Sequence, residues 1–539
     1  MRRLALPSSL LLAVAVPFAA RAQAPKPTPV ADDFVSARPA QPAPPPLAAA
    51  LAGVKAPALA AHVAFLASPA LEGRGLGRRG LDAAAEYAAA TLALAGIPPL
   101  AGGSYFQPVP VREISGLAGE LTVERTFPGG TSSRAFSSGV DCILPEIAPG
   151  ALSASVVFAA YGIREPKLRD DYEGLDVRGK VVLVLSGAPD GAEWRTPKMV
   201  EKYAAAEARE RWAAKLETAR TLGAVALLAV EAGDFPSGVL AKEAPQAAFF
   251  LPFEAGANAA PPLVRVSRAV ADALLAGADP AARPALRALP GTTVTLRTTG
   301  TERAVVSRNV IAVLAGADPK LRDEAVVIGA HMDHLGKVGD TVYPGADDNA
   351  SGVAALLEIA KAFAAAPQPP QRTVVFAFWT GEEEGKFGSG WWVRHPLWPL
   401  ERTTAYLNLD MIGHPWLAEE IKKLVTDSRL PDGEAFLAGV EPADFVEPGL
   451  PLDAPELAAA LRRAAGMTGL ALHLDRTDGT HGGSDYRAFA RAGVPFVRFF
   501  GNFFPAYHEP GDTADKLDAS QVQRVARLAL ATAWLLADR

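Results

Sequence analysis

From Asn309 onward, short apolar runs alternate with segments of helical period, and run after run ends in a carboxylate or an imidazole. The candidate strands are Val310 to Leu314, Ala325 to Gly329, Thr373 to Phe378, Ala405 to Leu409 and Val494 to Phe499. Helical patterns such as Gly352 to Ala364 and Gln521 to Leu536 fall between them. Strands this continuously apolar are buried on both faces, so the pattern predicts a mostly parallel α/β sheet with helices on each side. Ligands of such sheets bind beyond the carboxyl ends of the strands.

The polar residues collect at those ends. His331-Met332-Asp333-His334 follows the second run, and Glu382-Glu383-Glu384 follows the third. Asn408-Leu409-Asp410 ends the fourth, and Tyr507-His508-Glu509 lies beyond the fifth. Asp347-Asp348-Asn349 sits just before a helix. Singly, each has a plain reading: an acidic loop, or a turn with a helix cap. Jointly they point to metal, because carboxylate oxygens and neutral imidazole nitrogens suit zinc and its relatives. Two histidines and three carboxylates are enough for two ions sharing a bridge. Within the adjacent pair Glu382-Glu383, one residue can bind metal while its neighbour stays free as a general base. Asp333 is expected to orient the His331 ring, and Asp485 to be a supporting group or a helix cap. His334, His395, His414, His473 and His481 read as surface or satisfied histidines.

The rest of the 539-residue chain requires further domains. Arg2, Arg3, the apolar run Leu10 to Ala20 and the small residues near Ala22 have the order of an export signal, expected over residues 1–24. Residues 25–47, rich in Pro and Ala, read as a linker. Residues 48–114 are mainly helical, interrupted by the turn Gly73-Arg74-Gly75-Leu76-Gly77. Residues 115–300 carry strands and one helix (Lys202 to Leu222) but no dense set of metal-binding side chains, and read as an insertion. Residues 301–539 form the chemical domain. A net charge of −6, without a basic stripe, excludes a nucleic-acid partner. No apolar run is long enough to span a bilayer. The single cysteine, Cys142, excludes an intrachain disulfide.

The motifs Gly-Ala-His331-Met-Asp333, Asp348-Asn-Ala-Ser-Gly352, Glu382-Glu383-Glu384-Gly385, Leu-Asp410-Met and Tyr507-His508-Glu-Pro-Gly-Asp512-Thr513 resemble those of the di-zinc aminopeptidases. That family includes secreted bacterial leucyl aminopeptidases and glutamate carboxypeptidase II. Residues 66–75 and Ser104 to Gln107 resemble the start of the same domain, and Gly174 to Val181 resembles a protease-associated domain. The resemblance implies the zinc-exopeptidase fold, peptide substrates and two Zn2+ per chain. It implies that Asp348 bridges the ions, that His331 and Asp410 complete one site, and that Glu383 and His508 complete the other. It further implies that Glu382 is the base activating a metal-bridging water, and that Tyr507 steadies the oxyanion. An exported aminopeptidase is the expected activity; a carboxypeptidase or dipeptidase would keep the same ligands. A non-catalytic receptor-like relative would have lost ligands, and none is lost here. Two departures stand out: Tyr486 replaces a usual histidine, and residues 416–455 have no obvious counterpart.

Overall fold

The computed structural model describes residues 33–539 except 38–40, 101, 145–149, 205–207, 232–246, 252–260, 276–287 and 480–482. The expected export signal and His481 lie outside the described residues. The described residues form two compact units: 33–109 with 306–539, and 110–305.

The first unit is built on the strands Thr373–Trp379, Ala325–His331, Thr403–Asp410 and Phe496–Phe500, hydrogen-bonded side by side and all parallel. The end of the strand Ala288–Leu314 adds antiparallel to Thr373–Trp379, and Gly449–Pro451 adds antiparallel beyond Phe496–Phe500. The mixed, largely parallel sheet follows from sequence: Val326, Val327, Ile328, Val374, Val375 and Phe376 are fully buried on alternating faces. On one face Trp379, Trp392, Tyr406 and Phe489 pack together, with Tyr406 stacked on Phe489 at 3.8 Å. On the other, Phe376 meets Phe363 of the helix Gly352–Ala365, which stacks on Trp534 of the helix Ala519–Ala537. Register aligns His331 with Trp379 and Asp410 with Phe500, so four strand ends reach the same edge. Among the described residues no single helix is long and apolar enough to cross a membrane.

The stretch expected as a linker is partly built into this unit. Phe34–Val35 pairs with Ala471–His473, and Phe34 packs edge-on to Phe436. The helix Pro45–Gly53 starts inside the same stretch. Proline at the first turn of a helix sacrifices no hydrogen bond, so a Pro-rich run can start one. Phe34 also packs against the cluster of Ile421, Val425, Phe436 and Phe445, which gives the 416–455 segment a small core of its own.

The second unit, residues 110–305, brackets the 115–300 insertion read from sequence. Gly150–Phe158, Val181–Leu185, Ala226–Val230 and Leu263–Val266 form a parallel ladder. The long strand Phe106–Phe127 forms a hairpin with Gly130–Ser137. Where one helix was expected, the described residues hold two, Pro197–Ala204 and Ala208–Thr221. Cys142 is fully buried among Leu144, Val264 and Val266. Burial pushes its thiol up to about 12. Only the thiolate is nucleophilic, so at about pH 8 a thiol reagent should label no cysteine in the folded chain and one after denaturation. Rapid native labelling, followed by absorbance or mass, would contradict this packing.

Candidate metal centre

Asp348 lies at the centre of the group. Its turn, Ala346–Ser351, is entirely buried, and the Asp348–Asn349 peptide is cis. The backbone N–H groups of Asp347 and Asp348 donate to the Asp512 carboxylate. Asn349 donates from its side-chain amide to the Leu409 carbonyl and accepts from Met411 N, which stitches the turn to the strand end bearing Asp410. The Asp347 carboxylate accepts from Gly413 N at 2.7 Å. The backbone around Asp348 is therefore fixed by groups outside its own loop.

The two oxygens of Asp348 face different partners. Oδ1 is 3.4 Å from His331 Nε2, which is also 3.3 Å from Asp410 Oδ1. Oδ2 is 3.1 Å from His508 Nε2, which is 3.2 Å from Glu383 Oε2. One donor atom each from His331, Asp348 and Glu383 fall within 4.8 Å of one another. The five residues predicted from sequence are thus brought together as two imidazole–carboxylate groups sharing Asp348. The donor set fits a divalent metal, because every side chain offers a nitrogen or oxygen lone pair.

The electrostatics also suit a cation. Burial alone would lower the proton affinity of His331, but Asp410, Glu382 and Asp348 outweigh it and raise it well above the usual range. For His508 burial is likewise outweighed by hydrogen bonds to Asp348 and Glu383, and its value rises to about 10. A field that holds protons this firmly will also draw in a metal ion. The adjacent glutamates are driven apart. Burial pushes Glu382 well above the carboxylate range. Glu383 is held well below it, because hydrogen bonds to His334 and His508 outweigh its burial.

Asp333 acts differently from the expectation. His331 Nδ1 lies 3.2 Å from the Asp333 backbone carbonyl, and 3.8 Å from its carboxylate. The carboxylate instead accepts from Glu382 N at 3.1 Å and Glu383 N at 3.2 Å. Two amide donors satisfy both oxygens, so one residue orients the histidine and the glutamate pair. Asp485 lies within electrostatic reach of His331, Lys386 and Asp333. It accepts from Ser389 Oγ at 2.5 Å, and burial raises it to about 7. Tyr507 stacks on the His508 ring at 3.9 Å. Tyr486 is buried and stacks on Phe496.

Three residues given no role in the site by the sequence belong here, among them His334, which reads from sequence as a surface or satisfied histidine. His334 is fully buried, and its Nδ1 is 2.6 Å from Glu383 Oε1. Its position three residues after His331 was the available signal. Lys386 Nζ is 2.9 Å from Glu382 Oε1; spacing of four residues from that glutamate could have flagged it. Arg74 is fully buried, at 1 % exposure, beneath the loops of His331 and Asp348. A charged residue between two glycines reads as an exposed turn, and nothing local marks it otherwise.

Residues 309–533 match the model of Peptidase family M28. The chain is 30% identical over 263 residues to a probable lipoprotein aminopeptidase of Mycobacterium tuberculosis, covering 43% of this chain and 46% of the relative. It is 31% identical over 259 residues to a probable zinc metalloprotease of Pyricularia oryzae, covering 43% and 50%. The chain thus spans about half the length of these curated relatives. Among solved structures it resembles an aminopeptidase from Aneurinibacillus sp. strain AM-1. The TM-score is 0.51 at 21% identity, with 92% of this chain and 96% of that one covered. The parallel sheet and its shared edge thus belong to the fold seen in the Aneurinibacillus aminopeptidase, and residues 309–533, which carry the five clustered side chains, are the part that matches Peptidase family M28.

Proposed function

We propose that this chain is an exported metallopeptidase that removes N-terminal residues from peptides and holds two zinc ions. One observation carries the reading: the two oxygens of Asp348 are turned to two separate imidazole–carboxylate groups. His331 and Asp410 would hold one ion, His508 and Glu383 the other, with Asp348 reaching both. Bound metal would supply Lewis acidity toward the scissile carbonyl and acidify the attacking water.

The chain's own groups do the rest. Glu382 touches none of the five ligands through its carboxylate, and its burial favours holding a proton. It takes the proton of the attacking water and returns it to the departing amine. Its neighbour Glu383, held ionised, serves as ligand. Burial, with the site's carboxylates, raises the Tyr507 phenol. It therefore stays protonated and can donate to the developing oxyanion. Asp333 holds both glutamate amides and fixes where the base points. The M. tuberculosis relative's description as a lipoprotein aminopeptidase and the N-terminal Arg2, Arg3 and apolar run support peptide substrates and export. Residues 110–305 are assigned as a protease-associated insert on the strength of Gly174 to Val181.

The test is zinc content with two substrate sets. One set has a free N-terminus and a blocked C-terminus; the other is the reverse. The expected result is about two zinc per chain and cleavage only with a free N-terminus. Cleavage only at a free C-terminus would keep the metal reading and replace the aminopeptidase. A chain that binds no zinc would overturn both.

A further inference from the structure

Arg74 is the buried charge that the proposed chemistry does not use. Its Nε donates to the Met332 carbonyl at 2.8 Å, directly after the ligand His331. Nη1 donates to Leu66 O at 2.5 Å and Pro344 O at 2.7 Å. Nη2 donates to Gly345 O at 2.8 Å, at the entrance to the Asp348 turn. The connection also runs the other way, since His334 N donates to Arg74 O and Gly336 N donates to Gly73 O. The backbone pays for this geometry. Glu72, Gly73 and Arg74 all have positive φ, at 48°, 68° and 53°. Such φ values are uncommon for residues other than glycine and persist where surroundings over-determine them. A Cβ on Gly73 would collide with the carbonyls of Gly336 and Tyr343, so the turn is pressed directly onto the loops it supports.

We propose that Arg74 is a positioning residue for the metal centre, a planar spacer that sets the distance between the loop of His331 and the turn of Asp348. The proposal rests on the metal reading above. Each acceptor is a backbone carbonyl, so what Arg74 senses is loop placement rather than side-chain identity. The guanidinium suits this because its donors are fixed in one plane, whereas a lysine presents one point of charge. The cation also lies within electrostatic reach of Asp512, Asp348, Asp333 and Glu383. Before metal arrives, it offsets carboxylate repulsion that would spread the ligands.

The experiment compares the full chain with Arg74→Lys, measuring zinc affinity by chelator competition, circular dichroism and the cobalt(II) absorption spectrum. A folded Arg74→Lys chain should bind zinc roughly 10–100-fold more weakly, as when supporting partners of metal ligands are lost. Its cobalt spectrum should change shape. A merely structural role would lower thermal stability and leave both metal readouts unmoved, and that result would overturn the proposal. Should Arg74→Lys fail to fold, hydrogen exchange of the wild type decides. Zinc should slow exchange in residues 68–78 together with residues 331–350. Slowing confined to 331–350 would overturn the proposal. A wild type that binds no zinc would instead overturn the metal reading, and this inference with it.

Discussion

Glu382→Ala is expected to lower kcat by roughly 10²–10⁴ while leaving zinc content unchanged. The loss corresponds to about 3–5 kcal/mol of barrier, the amount that general-base assistance typically contributes. The structure allows this separation because the two glutamates are anchored by their backbones. Asp333 accepts from Glu382 N and Glu383 N, and neither bond needs the Glu382 side chain. Glu383 keeps its contacts with His334 and His508 after the substitution. Removing Glu382 frees Lys386, whose side chain is 17 % exposed and can turn to water. KM should change little, since an interaction made chiefly in the transition state is being removed. Turnover near wild type would reject Glu382 as the base. Loss of zinc in parallel with activity would make it a ligand.

What the amino-acid pattern revealed was what burial and period control. Runs such as Val326 to Ala330 and Val374 to Trp379 are apolar along their whole length because both faces are covered. Their ends are therefore sharp, and the pattern alone puts His331 and Asp410 at one edge. The supporting groups were hidden for an equally physical reason. Arg74 meets Met332 across 258 residues and Gly345 across 271, and no local spacing encodes such pairs. Phe34 lay in a proline-rich stretch whose composition argues for a linker, yet one aromatic ring against Phe436 suffices to dock it. The Asp333 carboxylate shows a subtler limit. Its sequence distance from His331 predicts a contact between them, and one exists, but through the backbone carbonyl. Which atom of a residue makes a contact depends on what else competes for it, here two amide donors.

Asp348→Ala separates the proposed shared ligand from the others. One residue serving both groups implies that its loss removes both ions, so zinc should fall from about two per chain to well below one. Asp410→Ala should spare the His508 and Glu383 group and keep about one ion. The two variants delete the same carboxylate chemistry, so a difference between them reports geometry alone. Metal-free stability gives an independent reading. In the metal-free chain Asp348 lies 3.1 Å from His508 Nε2 and 3.4 Å from His331 Nε2, and it favours the protonated form of both rings. The metal-free Asp348→Ala chain should therefore melt lower than the metal-free wild type at neutral pH by calorimetry. It should also lose the stabilisation that zinc confers, about 2.7 kcal/mol at a free concentration a hundred times Kd. If Asp348→Ala still bound two ions and still gained stability from zinc, the oxygens that face His331 and His508 would be bystanders. The site would then be two independent groups rather than two that share Asp348.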